Sequence, residues 1–187
     1  MKGKSFTLQV DETTGALKSI TINGKTHKLK QSFKWYKSIG GQPGKEDSGS
    51  YNFCPDGMAR DYPQQTLISR HTVNGVHELH QKFSDYIHQT VRTYEDQDFI
   101  EFDWTVGAIP VDDHLGKEII SSFETNFINS GVFYTDSNGR QTMKHVFNKN
   151  STLCNNNVIS GNYYPIFNKI YIKDEKQGLS YYIIDYK

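Results

Sequence analysis

Apolar side chains recur at every second position along most of this chain, the period of a half-buried strand. Phe6, Leu8 and Val10 sit two apart, and Asp11-Glu12-Thr13-Thr14-Gly15 reads as the turn that follows. Residues 17–22 predict a second strand running into Asn23-Gly24, a two-residue hairpin signal that needs positive φ at both positions. Residues 25–29 form its return strand. Residues 39–49 are rich in Gly and charge and predict a long loop. A short strand resumes over 51–53, and Asp56-Gly57 and Pro63 mark an irregular stretch.

A meander follows. Residues 68–73, 76–83, 86–94 and 100–106 read as four strands, with Asn74-Gly75 and Glu95-Asp96-Gln97-Asp98 as two of the turns. Ile87, Gln89 and Val91 share one face of the third; Ile100, Phe102, Trp104 and Val106 share one face of the fourth. Ile109-Pro110-Val111 breaks the run. Further strands are expected over 118–126, 131–134, 163–172 and 179–184, and 148–157 is a polar, Asn-rich loop. No stretch keeps a helical apolar period for three turns. Roughly ten to fourteen strands of this length exceed one small open sheet, so the predicted fold is all-β, a two-layer β-sandwich. With no internal repeat or boundary, residues 1–187 read as a single β-sandwich domain.

Composition adjusts this picture. Apolar residues make up only 35%, and 12 Tyr and 11 Phe carry the balance as broad, rigid fillers between sheets. So low an apolar share also fits a domain whose surface rests on a partner domain. Lys plus Arg equals Asp plus Glu, 21 each, so there is no electrostatic footprint for nucleic acid. No apolar run approaches the roughly 18 residues that span a bilayer, and no signal peptide is visible behind Met1-Lys2-Gly3-Lys4. Cys54 and Cys154 fix neither a disulfide nor a compartment by themselves. As small apolar side chains they are expected as two buried thiols, with a bridge the less favoured alternative.

Candidate chemistry is sparse. His77-Glu78-Leu79-His80 lacks the helical i, i+4 spacing with which two histidines share a zinc ion, and on a strand His77 and His80 point to opposite faces. His88 lies one strand away, so ordinary strand histidines are expected. Asp112, Asp113, Glu118, Glu124 and Asp136 are available for a glycosidase-type carboxylate pair, though Asp112-Asp113 and Asp136-Ser137-Asn138-Gly139 both read as turns. His80 or His88 with Glu118 is the acid–base pair that a small standalone sugar enzyme would need. Trp35, Tyr36, Tyr51, Tyr163 and Tyr164 could stack on sugar rings or pack in the core. Asn150-Ser151-Thr152 is an N-glycosylation sequon in the polar loop. No residues of this set are assigned as catalytic or metal-binding.

Several strings together resemble one family. They are Phe33-Lys34-Trp35-Tyr36, Ser48-Gly49-Ser50-Tyr51-Asn52-Phe53-Cys54-Pro55, Gln81-Lys82-Phe83-Ser84, Val106-Gly107-Ala108-Ile109-Pro110-Val111 and Gly116-Lys117-Glu118-Ile119-Ile120-Ser121, followed by Phe133-Tyr134-Thr135-Asp136-Ser137-Asn138-Gly139-Arg140 and Gly161-Asn162-Tyr163-Tyr164-Pro165. Their order and spacing resemble the β-domain of class II α-mannosidases, glycoside hydrolase family 38, nearest the lysosomal type. The resemblance implies a supersandwich of the mutarotase-like kind and a larger parent enzyme. There an N-terminal α/β barrel carries zinc and the aspartate nucleophile for retaining hydrolysis of α-D-mannosides in N-glycan breakdown. This chain would then be non-catalytic, with zinc in the parent only, the barrel and α-mannoside glycans as partners, and the lysosomal or secretory lumen as location. Tyr36 matches a family tyrosine that approaches the sugar site. Two departures stand out: the family's run of arginines is replaced here by Lys144-His145-Val146-Phe147, and Cys54 stands where the family tends to have Arg. The alternative is an independent carbohydrate-binding module.

Overall fold

The computed structural model describes residues 1–49, 51–62, 65–154 and 156–183. The chain divides into two compact units, Met1–Lys37 with Gly57–Asn126, and Ser38–Asp56 with Phe127–Lys187. Among the described residues nearly all regular structure is antiparallel strand, and the single helical element is one 3-10 turn at Ser160–Asn162.

In the first unit, β1 (Phe6–Val10), β2 (Leu17–Ile22), β3 (Lys25–Lys37) and β4 (Arg60–Asp61) pair in that order. The strand we number β9 (Lys117–Thr125) pairs with β3 from Leu29 to Lys37. A second sheet runs β5 (Thr66–Val73), β6 (Val76–Ser84), β7 (Ile87–Tyr94), β8 (Ile100–Val106). The two sheets face each other: Phe33 of β3 packs with Phe83 of β6 and Ile87 of β7, and Tyr62, Tyr86, Val106 and Ile119 surround them. The rings of Phe33 and Phe83 meet edge to face at 4.8 Å. Burying a side chain of this size contributes about 2 kcal/mol, which makes this contact the anchor of the sandwich.

Within the second unit, β11 (Gln141–Val146), β10 (Val132–Ser137), β12 (Lys169–Lys173) and β13 (Gly178–Tyr182) form one sheet in that order. Ile39, Cys54 and Cys154 form its separate small apolar cluster.

Turn chemistry follows the sequence closely. Asn23-Gly24, Asn74-Gly75 and Asn138-Gly139 all hold positive φ at both residues, between 49° and 77°. That backbone twist matches the flanking strands, and Asn and Gly tolerate it best. Four expectations need correction. The return strand expected to end at residue 29 continues to Lys37, because Gln31 faces the core and hides the apolar period. Residues 51–53 form no strand; an isolated bridge between Ser38 and Pro55 stands nearby instead. β11 carries only Met143 and Val146 as apolar residues, so its sequence does not announce a strand. The strand expected from residue 163 begins at Lys169. Pro63 and Ile184 lie outside the described residues.

Candidate functional site

Alternation along β3 decides where Tyr36 points. Leu29, Gln31 and Phe33 are buried, so Lys34 and Tyr36 occupy the outer face. Register then selects their neighbours: Tyr36 lies opposite Glu118 and Lys34 opposite Ile120 on β9. Directly opposed residues share a face and sit close. Lys34 Nζ lies 3.3 Å from Asp61 and 4.0 Å from Glu124, and Glu124 is also held by Lys28 at 3.1 Å. Lys28 is the main reason the Glu124 carboxyl stays below its usual range. Burial pushes the Tyr36 phenol up, partly offset by Lys34, so it stays protonated and can donate a hydrogen bond as well as accept one. A phenol, a carboxylate and paired ammonium groups on one sheet face can bind a hydroxylated ligand. Trp35 points the other way, with the Arg60 guanidinium 5.0 Å over its ring.

His71 and His80 stand edge to face, ring centroids 5.6 Å apart. Leu79, Gln81 and Phe83 face the core, so His77 and His80 take opposite faces, as their spacing predicts. His77 is held by Thr72 and Glu95, each at 3.1 Å. His80 is bonded to Thr90 at 3.2 Å and lies 3.6 Å from Glu78. Glu78 in turn joins Glu101 and Asp103 around Arg92, at 2.6, 2.8 and 3.1 Å. His80 and His88 lie on the outer face of the β5–β8 sheet, because Gln81, Ile87 and Gln89 point inward. Glu118 lies on the outer face of the other sheet, because the neighbouring Ile119 packs against the core. The two histidines and Glu118 are thus on opposite sides of the sandwich, and the acid–base pairing considered for them does not form.

Asp113 and Asp136 brace loops. Lys117 Nζ bonds Asp113 at 2.7 Å and the Pro110 carbonyl at 2.9 Å, closing the loop ahead of β9 and lowering the Asp113 pKa. Asp136 is 5% exposed. Its Oδ1 accepts the amides of Phe167, Asn168 and Lys169 at 2.8–3.0 Å, and its Oδ2 accepts Gly139 N–H at 2.7 Å. These bonds, that of Lys169 foremost, hold the carboxyl far below the usual range. The sequence showed a turn aspartate; the amides of Phe167, Asn168 and Lys169, which lead into β12, were invisible because they lie about thirty residues away. Beside this clamp, Gly139, Arg140, Thr142, Lys169 and Tyr182 line a groove of about 570 Å³.

Of the remaining aromatics, Tyr51 is fully exposed and Tyr163 stacks on Phe53 at 5.1 Å. Tyr164 lies 3.9 Å from His145, which bonds Thr135 at 2.8 Å. The segment that departs from the arginine run thus falls on the largely exposed strand β11 and the residue after it, with His145 packed against Phe133 and Tyr164.

Cys54 and Cys154 form a disulfide across 100 residues, Cα to Cα 5.3 Å, which corrects the expectation of two thiols. They and Glu46 are the one group of three or more His, Cys, Asp or Glu side chains gathered closely enough for a metal among the described residues. Bridged sulfurs have no thiolate to give, so this set does not fit zinc. Asn150 is exposed in its loop, as a sequon requires.

A family profile described as the glycosyl hydrolases family 38 C-terminal domain matches residues 2–182. A lysosomal alpha-mannosidase of Cavia porcellus is 38% identical over 174 residues, covering 89% of this chain and 17% of that protein. The lysosomal alpha-mannosidase of Homo sapiens is 40% identical over 157 residues, covering 81% and 15%. An alpha-mannosidase of Canavalia ensiformis is 37% identical over 179 residues, covering 89% and 18%. The chain thus spans less than a fifth of the length of these curated relatives.

Proposed function

Because this chain belongs to the C-terminal domain of glycosyl hydrolase family 38, we propose that it is the non-catalytic β-sandwich of an α-mannosidase. It braces the catalytic barrel and lines part of the sugar cleft. The observation that carries this reading is the match of the family's C-terminal domain to residues 2–182, nearly the whole chain. Two structural facts support it. The acid and base groups considered from the sequence, His80 or His88 with Glu118, face away from each other. The outer face bearing Tyr36, Glu118 and Lys34 offers groups that can recognise a sugar.

On this reading Tyr36 donates its phenolic hydrogen to a hydroxyl of the bound mannoside. Glu118 and Lys34 shape the same wall. Zinc, the nucleophile and the acid belong to the barrel, which this chain does not contain. The relatives' names support α-mannosides as substrates and the lysosome as the site of action. The disulfide agrees with an oxidising lumen.

The test compares the intact polypeptide with the 187-residue chain on an aryl α-mannoside. Turnover by the intact protein and none by the chain alone is the expected result. Stoichiometric turnover by the chain alone overturns the reading. Titration of the chain with mannose oligosaccharides separates out the binding-module alternative, which requires affinity without the barrel.

A further inference from the structure

The loop after β11 is pinned at three points in the second unit, and its sequon is turned outward between them. At one end Asn148 N–H bonds Asn162 Oδ1, and Asn162 Nδ2 bonds the Asn148 carbonyl, both at 2.8 Å. At the other end Cys154 is bridged to Cys54. Between them Ser151 is 6% exposed. It sits so close to Gly161 that a Cβ on that glycine would overlap the Ser151 side chain. With the middle residue of the triplet turned inward, its neighbours Asn150 and Thr152 are both exposed. The Asn150 amide N–H bonds Asn148 Oδ1 at 2.9 Å, which turns the backbone just ahead of the acceptor.

We infer that Asn150 carries an N-linked glycan in the mature protein. Two independent observations converge. The triplet Asn150-Ser151-Thr152 is the only Asn-x-Ser/Thr in the sequence, and the fold leaves the acceptor clear of strands and packing. The disulfide four residues from it closes in the oxidising lumen where such transfer occurs. In the transfer, Asn150 Nδ2 forms a C–N bond to the anomeric carbon of an oligosaccharide held on a polyprenyl diphosphate. The sugar–phosphate C–O bond breaks, the lipid diphosphate leaves with its electron pair, and the amide gives up one proton. No redox change occurs. The glycan then stands over the strap that holds the bridge, with Cys54 fully buried and Cys154 nearly so beneath it.

The test isolates the polypeptide containing this chain from its own cells and treats it with peptide N-glycosidase in heavy-oxygen water. The expected result is an isotope-labelled aspartate at position 150, with both cysteines protected from alkylation until reduction. Thr152→Ala abolishes the label and Thr152→Ser keeps it. Thr152 is exposed, so the pair of variants separates loss of the sequon from loss of the fold. An unlabelled residue 150 in protein whose bridge is closed overturns the inference, and so does protein recovered with free thiols and no glycan.

Discussion

Gln31 and Gln89 exchange two hydrogen bonds across the interior of the sandwich, Nε2 to Oε1 at 3.1 Å in one direction and 2.9 Å in the other. Both are 3% exposed. The network continues on each side: Gln31 Nε2 also donates to Ser121 at 2.9 Å, Gln89 Nε2 to Gln81 at 2.7 Å, and Gln81 Nε2 to the Gly15 carbonyl at 2.7 Å. Every amide hydrogen of Gln31 and Gln89 therefore has an acceptor. A satisfied polar network in a core fixes one register between two sheets, whereas apolar contacts tolerate sliding.

Removing one member leaves the others buried and unpaired. Gln89→Leu is expected to destabilise the chain by about 3 kcal/mol, since each orphaned buried group costs about 1–3 kcal/mol. The double variant Gln31→Leu, Gln89→Leu is expected to cost clearly less than the two singles summed. Urea denaturation of the four proteins checks this, and strict additivity would show that the pair is not coupled.

The bridge between Cys54 and Cys154 closes a loop of 100 residues. In the chain-entropy account a closure of this length stabilises by about 4–5 kcal/mol. Reduction, or replacement of both cysteines by serine, is expected to lower the melting temperature by many degrees. Melting curves with and without reductant read it. An unchanged midpoint would place the stability elsewhere.

Asp136 sets an expectation for acid. Its folded pKa is depressed by four backbone amides, so its stabilisation is complete above the unfolded carboxyl value, about 3.9. It is lost only as pH falls through the lower folded value. Melting midpoints should therefore show no contribution from Asp136 to any loss between pH 7 and about 5. Asp136→Asn should lower the midpoint throughout that range, with the gap to wild type closing below about pH 4. A gap that closes already at pH 5–6 would contradict the geometry.

Tyr36→Phe removes one hydroxyl from the proposed cleft wall. In the intact polypeptide kcat/KM for an aryl α-mannoside is expected to fall about tenfold, the worth of one hydrogen bond. Urea denaturation of the variant, run in parallel, separates a loss of fold from a loss of sugar contact. Unchanged kinetics would remove Tyr36 from the sugar site and leave the family assignment intact.

What the sequence alone determined was local. A period of two and Asn-Gly pairs are written into neighbouring residues, so most of the strands and the positive-φ turns were legible. So was the separation of His77 from His80, which needs only alternation. Tertiary structure decided whatever depends on residues far apart in the chain. It buried Gln31, whose polar side chain interrupts the apolar period, and carried β3 past residue 29 to Lys37. It joined Cys54 to Cys154 and aimed the amides of Phe167, Asn168 and Lys169 at Asp136. It also set Glu118 opposite Tyr36 rather than near a histidine. Each of these rests on which strands pair and in what register, a choice made by the sum of many weak contacts across the fold.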